Sequence, residues 1–221
     1  MRALYQVTPE MLKTPFGRLR AYLAYNVIDH GFLRVWWTNT EEIAPGVWRS
    51  NQPGPRRVAH YAKMGIKTLV ILRGVGTGSY YQLELDAARK AGLSVITLDL
   101  SARSAPHPRG LKPLFEAFRE AERPFLMHCK SGADRAGLAS ALYLLWIGCP
   151  LDEARKMLSW RYVHLSSTAT GILDVMLDQY EDALRKSPIS IEDWVFEHYD
   201  RETLTAQFAE GRRHGEAWPK A

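Results

Sequence analysis

HCKSGADRAG, residues 128–137, is the most informative segment of this chain for its fold. The apolar run before it, residues 124–127, is short enough for a buried strand. Residues 138–147 after it are apolar nearly all round, as in a buried helix. The stretch therefore predicts a turn that joins the end of a strand to the start of a helix. Backbone N–H groups and the helix dipole converge at such a turn, which makes it a site for an anion.

The residue types in this turn are those that phosphate chemistry needs. Cys129 lies where the converging N–H groups favour its thiolate form, because the thiolate is itself an anion. Arg135, six positions later, carries a planar fork of N–H groups that can bind two phosphate oxygens at once. The pattern predicts a phosphate site with a nucleophile and a clamp. The alternative is a buried cysteine in a tight turn beside a surface arginine.

The order His-Cys, five residues and Arg resembles the signature of the cysteine-dependent phosphatases, the superfamily of protein tyrosine and dual-specificity phosphatases. It is matched by His128, Cys129 and Arg135, with Gly132 at the usual glycine. The sequences EIAPGVWRSNQP (42–53) and GIKTLVILRG (65–74) are similar to the opening of the compact atypical dual-specificity phosphatases of microbes. Together the resemblance covers about residues 41–160 and neither flank.

The resemblance implies a role for each residue of the turn. Cys129 would attack phosphorus and form a phosphocysteine intermediate that water then hydrolyses. Arg135 would stabilise the charge of the transition state, and His128 would support the cysteine without carrying the proton. The phosphate oxygens would be bound by the backbone N–H groups of Lys130, Ser131, Gly132, Ala133, Asp134 and Arg135.

Two aspartates are candidates for the acid that protonates the leaving oxygen. In the families that this chain resembles, this acid lies on a mobile loop upstream of the cysteine. Asp99, 30 residues before Cys129, is the only carboxylate between Asp86 and Glu116, although it could instead cap a turn at a strand end. Asp134, inside the turn, is the rival. Its alternative role is to orient the arginine or to fix the loop.

The chain departs from the family pattern at Ala136, where most relatives have Ser or Thr. The hydroxyl at that position eases the departure of sulfur when the intermediate is hydrolysed. Its loss predicts slower turnover with phosphate binding intact. The leading hypothesis is an active phosphatase. The alternatives are a catalytically weakened phosphate-binding module and a rhodanese-type sulfurtransferase, against which the arginine clamp argues.

The basic residues favour an acidic substrate without naming it. The net charge is +5, and Lys130 resembles the basic loop position of phosphoinositide and inositol-phosphate phosphatases. We predict a phosphorylated protein or a phosphorylated lipid or inositol as the substrate, and no nucleic-acid partner. Arg73 is predicted to pair with Glu84 or to face the cleft. Further basic residues follow Asp99, as a polyanion site or a solvated loop: Arg103, His107, Arg109 and Lys112.

The cysteine count indicates a reducing compartment, and we predict a cytoplasmic protein. There are two cysteines, and Cys129 must stay reduced to act. Cys149 is interpreted as a small buried residue, with a redox partner for Cys129 as the alternative. The seven histidines are scattered, and none is paired with a cysteine at ligand spacing, so we expect no metal and no cofactor.

Strands that alternate with helices predict an α/β fold with a central, mostly parallel sheet flanked by helices. The predicted strands are residues 47–50, 67–72, 94–98 and 124–128. The predicted helices are residues 9–30, 56–64, 80–91, 111–122, 138–147, 151–160, 170–184 and 189–199. We expect an N-terminal extension over residues 1–40, a catalytic domain over 41–186, and a C-terminal helix with a flexible tail over 187–221, frayed from residue 210.

The N-terminal extension has two interpretations. Residues 21–37 are rich in aromatic and aliphatic side chains, but polar residues interrupt them and the stretch is too short to span a bilayer. No cleavage site of the alanine type follows, which argues against a signal peptide. The segment packs on the catalytic domain, or it lies on an anionic membrane surface with the basic residues Lys13, Arg18 and Arg20 beside it.

Overall fold

A computed structural model describes residues 6–213 of the chain, which divide into two compact units. The sheet unit contains the residues up to Asp99 together with Ala121–Gly132. The helical unit contains Leu100–Glu120 together with the residues from Ala133 onward. The signature turn is therefore shared, because the chain passes from one unit to the other between Gly132 and Ala133.

The sheet unit is built on five strands in the order β1-β2-β5-β3-β4. Strand β1 pairs antiparallel with β2, and every other neighbouring pair is parallel. This arrangement confirms the predicted α/β fold with a mostly parallel sheet. The strands are β1 (Glu41–Ala44), β2 (Val47–Asn51), β3 (Thr68–Ile71), β4 (Ser94–Thr97) and β5 (Phe125–Cys129).

Strand β5 lies at the centre of the sheet and carries the signature residues at its carboxyl end. All five of its residues are buried. The register sets Ser50 and Ile71, on the two neighbouring strands, against His128, and Asn51 against Cys129. Parallel strands present their carboxyl ends at one edge of the sheet, which is where ligands bind in such folds. The fold therefore brings the cysteine to that edge.

Three helices belong to the sheet unit: α1 (Pro15–Val27), α2 (Pro55–Lys63) and α3 (Ser79–Ala91). Helix α1 starts late because Thr14 caps it, accepting a hydrogen bond from the Gly17 N–H, with Pro15 at the first helical position. Helices α2 and α3 share one apolar core with the sheet: Val58, Tyr61, Ile66, Leu69, Ala88, Leu93 and Leu126. A second cluster attaches the N-terminal segment to α3: Val7, Leu12, Ala21, Tyr25 and Leu83.

The helical unit surrounds α5, the helix that follows the signature turn. Residues 136–145 of α5 are all buried, and Phe118 packs edge-on against Tyr143, with ring centroids 5.2 Å apart. The helices are α4 (Pro108–Glu120), α5 (Asp134–Trp146), α6 (Leu151–Arg155), α7 (Ile172–Lys186), α8 (Ile191–Asp193) and α9 (Arg201–Arg213), with a π-helical turn at Trp194–His198.

Several sequence-based element predictions were wrong in their extent. Strand β1 was not predicted, the helix expected over residues 9–30 is interrupted before α1, and the one expected over 151–160 ends at Arg155. Residues 210–213 were expected to fray, yet they belong to α9, which is held by Leu204 and Phe208 buried four positions apart. The rest of that predicted tail lies outside the described residues.

Candidate active site

The thiol of Cys129 is buried at the end of β5, with 1% of the residue exposed. The backbone N–H of Gly132 donates a hydrogen bond to its sulfur, with nitrogen and sulfur 3.3 Å apart. The chain therefore curls back over the cysteine within three residues. The contact places a hydrogen-bond donor against the sulfur of the predicted nucleophile.

Gly132 is required for this turn on two independent grounds. Its φ is +75°, a left-handed conformation that residues with a Cβ rarely adopt. A Cβ atom would also lie 2.8 Å from the Asn51 nitrogen and 2.9 Å from the Asn39 Cβ, which is closer than real Cβ contacts. The carbonyl of Gly132 accepts a hydrogen bond from the buried guanidinium of Arg49, on β2. The loop conformation is thus fixed from the neighbouring strand.

Residues just before and just after β2 donate hydrogen bonds to the loop that follows Cys129. The Asn39 side chain donates to the carbonyl of Ser131 at 3.0 Å, and the Gln52 N–H donates to the carbonyl of Lys130 at 3.3 Å. These two bonds use the carbonyls of Lys130 and Ser131 and fix the course of the loop.

His128 lies against the carboxylate of Glu84, which the sequence analysis paired with Arg73. Its Nε2 is 2.6 Å from Oε1 of Glu84, and both side chains are fully buried. Glu84 also accepts a hydrogen bond from the side chain of Gln52. The prediction that Arg73 pairs with Glu84 was therefore wrong, because Glu84 lies against His128 and Gln52, and Arg73 has other partners.

Arg73 instead meets Asp29, a buried carboxylate of the N-terminal segment. Asp29 lies 2.6 Å from Arg34, 3.2 Å from Arg73 and 3.4 Å from the Lys130 ammonium. Burial raises the pKa of Asp29, but the charges of Arg73, Arg34 and Lys130 outweigh this effect and hold the pKa below its usual value. This carboxylate connects the N-terminal segment to the loop residue Lys130, whose side chain remains 44% exposed.

Asp99 lies just beyond the carboxyl end of β4. It forms an isolated antiparallel bridge with Arg73, and its side chain lies beside Gly74, where an added Cβ would be 3.0 Å from the Asp99 Oδ1. The residue is exposed, and among residues 6–213 its carboxylate has no hydrogen-bond partner.

The segment that follows Asp99 belongs to the helical unit and is anchored there. The Tyr199 hydroxyl donates to the carbonyl of Pro106 at 3.0 Å, and the Arg201 Nε donates to the carbonyl of Ala105 at 2.9 Å. The basic side chains predicted in this segment, Arg103, His107, Arg109 and Lys112, are all exposed.

Asp134, at the first position of α5, is bound by a histidine that sequence reasoning did not identify. His164 places Nδ1 2.8 Å from Asp134 and Nε2 2.7 Å from Asp174. Burial lowers the pKa of His164, but hydrogen bonds to the two carboxylates raise it more, to about 9. The imidazole is therefore a cation at neutral pH. It holds Asp134 at the start of the helix, next to Arg135 in the chain.

The start of α5 is closely packed around Ala136 and Gly137. Ala136 is fully buried, and its carbonyl accepts a hydrogen bond from the Ser140 hydroxyl at 2.6 Å. A Cβ at Gly137 would lie 2.7 Å from the carbonyl oxygen of Met157. The Nε of Arg135 has no hydrogen-bond partner within residues 6–213. These contacts fix the backbone that carries the arginine.

The sequence analysis did not identify the residues that hold the loop, directly or through a neighbour, although they lie far from it along the chain. These residues are Asp29, Asn39, Arg49, Glu84, His164 and Asp174. One signal was available, since an arginine in the middle of a buried strand, as at Arg49, needs an internal partner. Histidine and aspartate at residues 164 and 174 carry no comparable signal, because they meet only through the fold.

The chain matches known phosphatases in sequence pattern and in fold. Residues 83–199 match the model of a family described as the tyrosine phosphatase family. The structure is similar to that of P. aeruginosa TpbA, with 22% identity over 78% of this chain and 91% of that chain and a TM-score of 0.51.

Two further solved structures share the fold. The catalytic core of the PP-IP phosphatase SIW14 of S. cerevisiae, in complex with citrate, has 17% identity over 69% of this chain and 96% of that one, with a TM-score of 0.50. A DUF442 protein of Shewanella putrefaciens CN-32 has 14% identity over 69% and 95%, with a TM-score of 0.54. No curated protein matches the chain.

Proposed function

The chain belongs to the tyrosine phosphatase family, and we propose that it hydrolyses phosphate monoesters with Cys129 as the nucleophile. The observation that carries this proposal is the contact between the Gly132 N–H and the Cys129 sulfur at 3.3 Å. A buried thiol with an N–H aimed at its sulfur, at the end of the central strand, is placed for nucleophilic work. A merely structural cysteine needs no such donor.

The reaction proceeds in two displacements at phosphorus. The Cys129 thiolate attacks, a sulfur–phosphorus bond forms, and the bond to the leaving oxygen breaks. Water then attacks the phosphocysteine, the sulfur–phosphorus bond breaks, and the thiolate returns with release of inorganic phosphate. Loop N–H groups and the Arg135 guanidinium bind the oxygens on which charge accumulates.

Asp99 is the better candidate for the acid that protonates the leaving oxygen. Its carboxyl group is exposed and free of partners within residues 6–213, whereas Asp134 already accepts a hydrogen bond from the His164 imidazolium. In the second step the same Asp99 carboxylate takes a proton from the attacking water. Asp134 then serves to fix the start of α5.

The substrate is a phosphorylated protein, or a phosphorylated lipid or inositol. A polyanionic substrate is favoured by Lys130, whose ammonium is anchored by Asp29 and still 44% exposed. The Lys130 ammonium is a point charge with rotatable N–H donors, and it lies on the loop itself. It can therefore contact a second phosphate group of the substrate, besides the one that is hydrolysed.

Matched cysteine variants test the mechanism. Cys129→Ser should abolish turnover of p-nitrophenyl phosphate while it retains binding of inorganic phosphate, since the loop and Arg135 bind the anion without the thiolate. Cys149→Ser is the control, because both cysteines are free thiols and only the first is in the turn. Appreciable turnover by Cys129→Ser would overturn the covalent mechanism. Equal losses in both variants would point to a cysteine pair.

The arginine clamp needs a separate variant. Arg135→Lys should lower kcat/KM nearly as far as loss of the cysteine does, because a lysine is a point charge and cannot bind two oxygens in a plane. Unchanged kinetics in Arg135→Lys would remove the clamp from the mechanism.

A phosphate-binding module with weakened chemistry is the second candidate, and Ala136 favours it. The first turn of α5 offers no hydroxyl at this fully buried position. Such a module would release one equivalent of leaving group per site and then stop, whereas an active enzyme continues. Steady-state assays with excess substrate separate the two.

A further inference from the structure

Exposed apolar side chains are concentrated in one short stretch of the sheet unit. Fifteen large hydrophobic residues are exposed among the described residues, and eight of them fall within residues 16–36. These eight form what we call the docking face: Phe16, Leu19, Leu23, Val27, Phe32, Leu33, Val35 and Trp36. Trp36 is 90% exposed and Phe16 79%, so the fold leaves these side chains in water. Exposed apolar side chains concentrated in this way mark an interaction site.

Helix α1 is apolar on two opposite sides. One side packs on the fold through Gly17, Ala21, Ala24 and Tyr25. The other side carries Phe16, Leu19, Leu23 and Val27, whose spacing of three and four residues places them in one row along the helix. A surface helix with a single partner needs one apolar side. The second row therefore contributes nothing to the packing of the sheet unit.

The chain after α1 continues this surface and then reaches the catalytic loop. The turn Gly31–Val35 and Trp36 supply the remaining exposed apolar side chains. Within the same stretch Asp29 binds Lys130 of the loop, and Asn39 donates to the carbonyl of Ser131. The docking face and the loop that carries Cys129 are therefore parts of one connected structure in the sheet unit.

Charge identifies the kind of surface that the docking face fits. Between Thr14 and Ile28 there are two arginines and no carboxylate. Arg20 is four positions after Phe16 and three before Leu23, so it lies at the margin of the apolar row. Arg18 is paired with Asp86 at 2.9 Å, but α1 contributes no negative charge to this side, and the chain as a whole carries a net charge of +5. An anionic lipid surface would attract such a face, whereas two copies of a chain with this net charge would repel each other.

We propose that the docking face inserts into the interface of an anionic phospholipid bilayer and holds the protein there. Aromatic and aliphatic side chains enter the boundary between headgroups and acyl chains. The protein lies on the membrane without crossing it. Among residues 6–213 no helix combines the length and the apolar character that a crossing requires.

Membrane docking has a consequence for substrate that rests on the proposed function. A phosphatase whose loop is tied to a lipid-bound segment acts on phosphate groups that the same membrane presents. Docking should therefore raise the rate on a phosphoinositide in vesicles and leave the rate on soluble p-nitrophenyl phosphate unchanged.

Flotation with vesicles tests the docking directly. The wild-type protein should float with vesicles of phosphatidylcholine and phosphatidylserine and bind at least tenfold more weakly to vesicles of phosphatidylcholine alone. Leu19→Gln with Leu23→Gln, and Trp36→Gln, should each reduce binding about tenfold or more. Trp160→Gln is the matched control, because Trp160 is 72% exposed and lies in the helical unit, outside the docking face. Its binding should match that of the wild type.

Three outcomes would overturn the proposal. The protein stays with the soluble fraction for both vesicle types, or the docking-face variants and Trp160→Gln lose binding equally. Alternatively, sedimentation shows a dimer that the docking-face variants dissociate and vesicles do not compete with, which makes a second copy the occupant. Turnover of soluble p-nitrophenyl phosphate is measured in every variant. Absence of vesicle binding by the wild type, with its turnover intact, refutes docking alone, and absent wild-type turnover refutes the phosphatase alone.

Discussion

His164 holds Asp134 at the start of α5, with Nδ1 and the carboxylate oxygen 2.8 Å apart. Because Asp174 occupies the other ring nitrogen at 2.7 Å, only the doubly protonated imidazole can donate to both carboxylates. The residue before Arg135 is thus bound to a buried cation. This pairing makes Asp134 a candidate anchor for Arg135 instead of a candidate acid.

The stability of the protein should depend on pH through His164. The folded-state pKa, about 9, is raised above the ordinary value of 6.5, so this contribution to stability is complete below about pH 6.5. It falls as the pH rises from there and is lost above about pH 9. The amount is on the order of 3 kcal/mol. Urea unfolding of the wild type and of His164→Gln should show a stability difference that shrinks over this range.

The informative quantity is the difference in unfolding free energy between the wild type and His164→Gln. The contributions of the other titrating groups are the same in both proteins and cancel in this difference. A difference that is constant between about pH 6.5 and 9 would mean that the imidazole is neutral in the folded state. Asp174→Asn should lower the pKa of His164 and move the loss of stability to lower pH, since one of the two carboxylates is removed.

The roles of Asp99 and Asp134 should be distinguishable by how the activity of each Asn variant depends on the leaving group of the substrate. A positioned acid contributes about 10²- to 10⁴-fold, so Asp99→Asn should lower kcat/KM by that factor on an alkyl phosphate. It should cost much less on p-nitrophenyl phosphate, whose leaving group scarcely needs a proton. Asp134→Asn should lower both rates by similar factors, since it disturbs the position of Arg135. A leaving-group effect in Asp134→Asn and none in Asp99→Asn would exchange the two roles.

Gly132 should tolerate no side chain. Gly132→Ala combines a φ of +75° with contacts of 2.8 and 2.9 Å, and we expect a loss of activity together with a destabilisation of about 1–3 kcal/mol. Gly65→Ala is the control, because Gly65 has a φ of +94° and no atom within 4 Å of its added Cβ. It should lose some stability and keep full activity. An active Gly132→Ala protein would show that the loop can form without this conformation.

The strand, turn and helix that carry the candidate site could be predicted from sequence because they are local. Cys129 and Arg135 are six positions apart, and the strand and helix around them are recognisable as apolar runs. The inner strands β3 and β5 were predicted for the same reason. Strand β1 was missed because it is a short edge strand that begins with Glu41 and Glu42, which do not form an apolar run.

The supports of the site could not be predicted, because they are pairings over long sequence distances. Asp29 meets Lys130, Arg49 meets Gly132, and Glu84 meets His128 only after the sheet has formed. Charge alone gives several possible partners for each of them. The wrong pairing of Arg73 with Glu84 illustrates this, since both residues are charged and near in sequence, and each has a different partner in the fold.

Ala136 occupies the position at which most members of the families that this chain resembles carry a hydroxyl. Attack still has its nucleophile and clamp, while hydrolysis lacks the group that eases the departure of sulfur, so phosphocysteine should accumulate. Rapid mixing with p-nitrophenyl phosphate should give a burst near one equivalent of nitrophenol per site, followed by a slower steady state. Mass spectrometry of the quenched enzyme should find phosphate on Cys129.

Ala136→Ser should shrink that burst and raise the steady rate, because it restores the hydroxyl. Serine adds a single oxygen, which suits a fully buried position in the first turn of α5 better than threonine does. The competing explanation is that the Gly132 N–H, 3.3 Å from the sulfur, already stabilises the departing thiolate. In that case the wild type shows no burst and Ala136→Ser leaves the steady rate unchanged. That pair of results would remove the missing hydroxyl from the account of turnover.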